Sequence, residues 1–389
     1  MYQKTITCLS CPRPLCETGC PCGNAIKDII LLVKQGKEED AANLLYQTNP
    51  FPEWTSSLCD HDRNCRGHCV LGKRGNPFDF PSLEAYLSAS FHRPLNHKES
   101  NGKSVMVIGA GPAGLSVAYF LAKEGFHVEA YEKEDGIGGV LYTGIPPFRY
   151  EKQPLKNIQN DLEKMGIVFH LNQMIDKTNL SEFCKDFSFI VLACGAEKEN
   201  TLGYEVYDGV VGGLHLLYDL SKKQDPSKYA HVKRAFVWGG GNVAMDCARS
   251  LKRLGLDVSL VYRRGEAEMP AAKDEIEACR NEGVSFNLLT NIKEPIIKDN
   301  RLVGAKMIHM ELGEKDESGR ASFHEIPGSE FEETFDLLVP ALGEKIVLPF
   351  EVEGLENIYL AGDCRYGAYN IAAAIKDGRE IAKTINEKE

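Results

Sequence analysis

Residues 104–114 read Ser-Val-Met-Val-Ile-Gly-Ala-Gly-Pro-Ala-Gly, and this stretch decides the fold. Residues 105–108 form the short unbroken apolar run expected of a strand buried on both faces. Gly109, Gly111 and Gly114 then follow in the order G-x-G-x-x-G, and residues 115–123 carry helical spacing. Residues 128–131 are the next strand, closed by Glu132. Strand, glycine turn, helix and second strand make up a β-α-β unit, which requires a parallel sheet covered on both faces. Gly109 permits the tight turn, and Gly111 lets backbone N–H groups approach a pyrophosphate. Gly114 lets the helix, opened by Pro112 and Ala113, pack close to the strand. Glu132 stands where a carboxylate can accept from both ribose hydroxyls of a dinucleotide.

Working outward, the same pattern returns once. Residues 235–238 are a strand, and Gly239, Gly240, Gly241, Asn242, Val243 and Ala244 give the G-x-G-x-x-A form. A helix runs to residue 254 and a strand over 258–262. This second strand ends in Tyr262-Arg263-Arg264 instead of an acid. An acid there would repel a ribose 2′-phosphate, whereas Arg263 and Arg264 can pair with it, so the site favours NADPH over NADH. The bland alternative makes both arginines solvated surface charges, like the neighbouring Lys252 and Arg253.

Two further features bear on the first loop. Gly138 and Gly139 add a second glycine turn just beyond Glu132, able to lie close to a long cofactor. Far downstream, a strand over 358–360 leads to Gly362 and Asp363, and a helix opening at Asn370 and Ile371 could aim its N–H groups at the same phosphates. The pattern resembles the FAD-binding members of the two-dinucleotide flavoprotein superfamily, in which such an aspartate meets the ribityl–phosphate part of FAD. FAD is therefore the expectation for this first site.

Ahead of both loops stand eight of the thirteen cysteines: Cys8, Cys11, Cys16, Cys20 and Cys22, then Cys59, Cys65 and Cys69. Thiolates at these short spacings can close around iron–sulfur clusters, and a run ending in Cys20-Pro21 is the ferredoxin-like form of that signal. Zinc is the rival metal, with His61 and His68 available to complete four ligands. A flavin next door has a use for clusters and none for zinc. Helices are expected over 25–35 and 38–47, and a polar linker over 91–103.

Composition sets the outer limits. A chain of 389 residues suggests two to three domains. The net charge of -11 argues against nonspecific nucleic-acid binding. No apolar stretch is long enough for a membrane span, and no basic segment with an apolar run opens the chain, so a cytoplasmic protein with reduced thiols is expected. The fold class is α/β: two Rossmann-like dinucleotide-binding domains preceded by a small, mainly helical iron–sulfur domain. The boundaries are 1–90 for the cluster domain, 103–199 with 335–389 for the FAD domain, and 200–334 for the NADPH domain.

Read together, these phrases resemble the small (beta) subunit of NADPH-dependent glutamate synthase and its relatives. Those include the N-terminal half of dihydropyrimidine dehydrogenase and the flavin subunits of ferredoxin–NADP transhydrogenases. Residues 144–149 (Gly-Ile-Pro-Pro-Phe-Arg) and 268–271 (Glu-Met-Pro-Ala) extend the match, which covers nearly the whole chain. The resemblance implies two [4Fe–4S] clusters, one held by Cys8, Cys11, Cys16 and Cys69, the other by Cys20, Cys59, Cys65 and Glu84. Cys22 is an extra thiol that could compete with Glu84. The resemblance also places Arg149 near the flavin and implies a larger electron-accepting partner subunit. It names no catalytic acid or base, and His215 and His309 are read as ordinary histidines. The stretch 343–357 is shorter than in most relatives, and Cys194 stands where many have threonine.

Two rivals are weighed. A disulfide reductase of the thioredoxin-reductase kind needs a redox-active cysteine pair beside the flavin, and Cys184, Cys194, Cys247, Cys279 and Cys364 are widely separated in sequence. A non-enzymatic wiring subunit would have a vestigial NADPH site, against which the intact second loop argues.

Overall fold

A computed structural model of the chain describes residues 7–196, 198–315, 321–351 and 357–388. They form two compact units. The first takes in the chain up to Tyr142, Tyr150–Glu197 and the tail from Ile346; the second takes in Thr143–Arg149 and Lys198–Lys345.

The cysteine-rich part of the first unit is helical, with α1 (Ile26–Lys34), α2 (Glu38–Tyr46), α3 (Pro52–Leu58) and α4 (Phe80–Ser90). In α1 the apolar residues recur at helical spacing, and Ile26, Ile29, Ile30 and Val33 are all buried. They pack with Leu45 and Tyr46 of α2 and Leu83 and Leu87 of α4, and the cysteines border this core. The polar segment after α4 has no regular element, yet Arg93 within it is buried. Its guanidinium donates to Pro50 O at 2.6 Å and Asp161 Oδ2 at 3.1 Å, and also pairs with Glu53. A buried charge is tolerated only when paired and hydrogen-bonded, so this residue clamps the linker.

Two parallel sheets carry the glycine loops. In chain order their strands are β1 (Ser104–Ile108), β2 (His127–Tyr131), β3 (Val168–His170), β4 (Phe189–Leu192), β5 (Arg234–Trp238), β6 (Asp257–Tyr262), β7 (Ser285–Leu288), β8 (Leu337–Pro340) and β9 (Ile358–Leu360). The first sheet runs β9-β4-β1-β2-β3 and the second β8-β5-β6-β7. Helix α5 (Pro112–Lys123) follows β1, α6 (Asn242–Arg253) follows β5, and α7 (Ile371–Asn386) closes the chain. In both sheets the ladders among these strands are parallel throughout, as the β-α-β reading requires.

The domain boundaries differ from the sequence reading in two places. β8 was expected in the first domain with the rest of the tail, but pairs with β5, Leu337 opposite Ala235, at the edge of the second sheet. Its four residues are all buried, so the strand carries no polar face to tell one sheet from another. Thr143–Arg149 likewise belongs to the second unit although the first continues on either side. The second unit also contains antiparallel strands that no motif announces. Thr290–Lys298 pairs with Arg301–Lys315 through a turn at Asp299 and Asn300, both at positive φ as a two-residue hairpin demands. Ala321–Glu325 and Phe331–Glu333 add to it. Of the shortened stretch 343–357, residues 352–356 lie outside the described residues. Among the described residues no helix is long and apolar enough to cross a membrane.

Candidate functional site

The first glycine loop is built against its surroundings by close contact. Gly109 has φ +103°, and a Cβ there would lie 2.5 Å from Ala193 O. Both conditions exclude a side chain. A Cβ on Gly114 would run into Gly109 O, so this glycine sets the approach of α5 to β1. Gly111 differs: its nearest neighbour is Gly139 Cα at 3.8 Å, which leaves room on the loop. Gly138 N–H donates to Ala110 O at 2.8 Å, holding the second glycine turn on the first. Pro112 opens α5, where it has no N–H to leave unsatisfied, and Ala113 follows.

Glu132 is buried, and its carboxylate accepts from Ala110 N at 2.8 Å and Glu134 N at 3.0 Å. Burial raises its pKa while these N–H groups hold it down. The carboxylate thus braces the loop, and its remaining lone pairs are what it can offer a ribose.

The tail closes over the same place. Gly362 (φ +74°) brings the chain to within 2.6 Å of Ala113 Cβ, measured from an ideal Cβ. Asp363, beside it, is pushed up to about 6 by burial. Asn370 caps α7, its side chain accepting from Ala373 N at 2.8 Å, and Ile371 is the first helical residue. The remaining first-turn N–H groups of α7 are those a helix N-terminus offers an anion. α7 crosses α5 closely: Ser116 Oγ donates to Ile375 O at 2.7 Å, and Gly378 admits the crossing. The loop, the Gly362–Asp363 turn and the start of α7 therefore lie together as one backbone-lined cradle.

The second loop is fixed by side chains and by residues 268–272. Ala271 N–H donates to Gly240 O at 3.1 Å, Ala272 N–H to Asn242 Oδ1 at 2.9 Å, and Tyr262 OH to Glu268 O at 2.8 Å. A Cβ on Gly239 would strike Ala341 O, and one on Gly240 would meet the Tyr262 ring at 2.7 Å. Gly241 has only Pro270 nearby, at 4.0 Å, and so is the open position here as Gly111 is in the first loop. Val243 packs on the core of this unit.

The two arginines after β6 part company. Arg263 is exposed and Arg264 is buried, its Nε donating to Ala321 O at 2.7 Å. Both lie over the Phe323 ring, at 4.3 Å and 4.8 Å. The Arg149 guanidinium pairs with Asp246 Oδ2 at 2.7 Å and Glu275 Oε1 at 2.7 Å. Burial pushes Asp246 up to about 6 against the pull of Arg149. Arg249 continues the chain of charges to Glu275 and Glu282. This network fastens α6, and no spacing in the sequence announces it.

The cysteines line two cavities. Cys8, Cys11, Cys16, Cys65 and Cys69 border one, with Leu9, Ile26, Ile30 and Phe78. Cys20, Cys22, Cys59, Cys65 and Glu84 border another, with Ala372 of α7. Cys65 is on the wall of both. Burial pushes Cys16 up to about 11, and raises Cys20, Cys59 and Cys65 as well. Thiols held in such surroundings become thiolates when a metal compensates the charge, so the donor set fits iron–sulfur centres.

Glu84 is buried and pushed up to about 7 by burial. Thr55 Oγ1 (2.8 Å), Asn49 Nδ2 (2.9 Å) and Asn24 Nδ2 (3.3 Å) all donate to its Oε1, which leaves Oε2 for the cavity. The extra thiol Cys22 is fully buried and reaches Ala372 O at 3.5 Å. His61 and His68 each place one ring nitrogen on a backbone carbonyl, Thr55 O at 3.0 Å and Asn64 O at 2.7 Å. Among the described residues no three His, Cys, Asp or Glu side chains converge on a single metal ion.

Cys194 and Cys364, widely separated in sequence, have their thiols in hydrogen-bond contact beyond the ends of β4 and β9. Only the strand order brings them together, because β4 and β9 are neighbours in the first sheet.

Residues 103–378 match the family described as pyridine nucleotide-disulphide oxidoreductase, and residues 2–94 match dihydropyrimidine dehydrogenase domain II, 4Fe-4S cluster. The glutamate synthase [NADPH] small chain of Escherichia coli (strain K12) is 31% identical over 97% of this chain and 89% of its own length. The chain belongs to the glutamate synthase small-chain family. A second relative, the NADP(+)-dependent formate dehydrogenase subunit beta of Moorella thermoacetica, is 29% identical over 96% of this chain and 59% of its own. FprA, an oxidoreductase of Mycobacterium tuberculosis, shares the fold with a TM-score of 0.60 at 19% identity, over 73% of this chain and 84% of that one. Family membership makes the chain an NADPH-dependent oxidoreductase with flavin- and nicotinamide-nucleotide-binding modules and a 4Fe-4S domain.

Proposed function

We propose that this chain oxidises NADPH and delivers the electrons singly to a larger partner subunit of the glutamate synthase kind, using FAD and two [4Fe–4S] clusters. The observation that carries this reading is the position of α7. Its Ala374 Cβ lies 3.9 Å from an ideal Cβ on Gly362 of the glycine-lined cradle, and its Ala372 borders the Glu84 cavity. One helix end thus touches the flavin site and a cluster site within a single compact unit.

FAD would be held by the backbone of Gly109, Gly111, Pro112, Ala113 and Gly114, with Glu132 at its ribose. Gly138, Gly139, Gly362, Asp363, Asn370 and Ile371 would close over the rest. NADPH would lie on Gly239, Gly240, Gly241, Asn242 and Val243, with the exposed Arg263 at its 2′-phosphate. Arg264 supports that surface from beneath through Ala321, and Arg149 fixes α6 through Asp246. Cys8, Cys11, Cys16 and Cys69 would hold one cluster, and Cys20, Cys59, Cys65 and Glu84 the other. When bound, the flavin accepts a hydride as an electron pair and the clusters carry electrons one at a time. The protein's own contribution is positioning, so no acid or base is assigned.

The test is an anaerobic visible spectrum of the purified protein before and after NADPH. Flavin bands over a broad brown absorbance, bleaching on NADPH, are expected. A flavin-only spectrum from protein that contains zinc would remove the clusters and the exit route with them.

A further inference from the structure

Cys194 and Cys364 lie beyond the carboxyl ends of neighbouring parallel strands. β4 and β9 are in register, Leu192 opposite Leu360, and Ala361 N–H donates to Leu192 O at 2.8 Å. From this anchor the chain turns so that Cys364 Sγ reaches Leu192 O and Ala361 O, both at 3.2 Å, and its thiol meets that of Cys194. Sequence neighbours hold the pair tightly. A Cβ on Gly109 would lie 3.2 Å from Cys194 Cα, and Cys364 directly follows Asp363. The two cysteines therefore sit at the rim of the glycine-lined cradle, on backbone that the sheet fixes.

Cys194 is more exposed than Cys247 and Cys279. Cys247 and Cys279 are buried, each with its thiol on a backbone carbonyl, Gly213 O and Met245 O. Cys194 is half-buried, while Cys364 is buried. We propose that Cys194 and Cys364 are a redox-active dithiol, a thiol–disulfide exchange site for low-molecular-weight disulfides.

The exchange has two steps. The Cys194 thiolate attacks one sulfur of a small disulfide RSSR, its S–S bond breaks, and RS⁻ leaves with Cys194 held as a mixed disulfide. The Cys364 thiolate then attacks Cys194 Sγ, the second RS⁻ leaves, and the Cys194–Cys364 bond forms. The protein gives up two electrons and two protons, and RSSR becomes two RSH. The burial order suits these roles, since the less buried cysteine meets the reagent and the buried one resolves.

The experiment incubates the anaerobic holoprotein in glutathione buffers of increasing oxidised fraction, quenches with acid, alkylates and maps the peptides. A peptide pair joined through Cys194 and Cys364 is expected to grow with the oxidised fraction. In Cys364→Ser the second step is blocked, and glutathione is expected to accumulate on Cys194 at least about tenfold above wild type. In Cys194→Ser neither the joined peptide nor a mixed disulfide at Cys364 is expected. Bound flavin confirms that each variant is folded, with Cys364→Ala as the substitute if the serine variant loses it. Absence of the joined peptide from wild type at every ratio overturns the proposal, as does a folded Cys364 variant whose Cys194 takes up no glutathione.

Discussion

At the first glycine loop the chain closes over the turn with backbone, and at the second it does so with side chains. Gly139, Gly362 and the end of α7 surround the first, so that what faces a ligand is N–H groups and glycine Cα atoms. Asn242, Tyr262 and the 268–272 segment surround the second, with an arginine at its outer edge. The helices that follow differ in the same sense. α5 is held by close packing against α7 at Ser116 and Gly378, α6 by the Arg149–Asp246–Glu275–Arg249 charges. A site enclosed by backbone suits a cofactor that stays, and one edged by side chains suits a substrate that comes and goes.

The sharpest way to break this comparison is at the open glycines. Gly111→Ala introduces a Cβ that meets nothing closer than 3.8 Å in the protein, so its penalty falls on the ligand. Flavin retention should weaken by roughly 100-fold while the melting temperature of the flavin-free protein barely moves, because the pyrophosphate needs that close backbone approach. Gly109→Ala is the control. Its positive φ and the Ala193 carbonyl predict a loss of roughly 1–3 kcal/mol in stability whatever is bound. Flavin content and thermal unfolding of both variants check this. Equal loss of stability in the two would erase the distinction.

The matching change at the second loop, Gly241→Ala, should raise KM for NADPH by about tenfold and leave bound flavin in place. Arg263→Ala is expected to raise KM for NADPH by roughly 10–100-fold with little effect on NADH, the range of one lost charge-assisted hydrogen bond. Arg264→Ala should act differently. Its buried guanidinium holds Ala321, so stability falls for both nucleotides alike. Steady-state kinetics with each nucleotide separate these outcomes.

The smallest expected effect concerns α6. Asp246 has its carboxyl raised from 3.8 to about 6 in the folded protein. Between these values the folded state holds a proton that the unfolded chain has released, so this group makes stability fall as pH rises through that window. Asp246→Asn removes that slope. Melting temperatures of wild type and variant, measured across pH 4 to 6, should differ in slope, and parallel curves would contradict the assignment.

Much of this was legible in the sequence for a local reason. Glycine loops and the cysteine run are written in contiguous residues, and strand, turn and helix follow from their order. Glu84 came from resemblance to known relatives, and it lines a cavity together with Cys20, Cys59 and Cys65. What escaped was set by distant parts of the chain. β8 is too short and too apolar to declare its sheet. Arg264 looks like Arg263 until a strand some sixty residues later covers it. Cys194 and Cys364 become a pair only through the adjacency of β4 and β9, which no spacing encodes.

The central claim is that flavin and two clusters share one compact unit and are joined electronically. It is tested most directly by iron and sulfide analysis of the holoprotein, with electron paramagnetic resonance spectra recorded after anaerobic NADPH addition. The account predicts about eight iron atoms per chain and a reduced-cluster signal elicited by NADPH alone. About four iron atoms, or a bleached flavin with no cluster signal at any temperature, would contradict it.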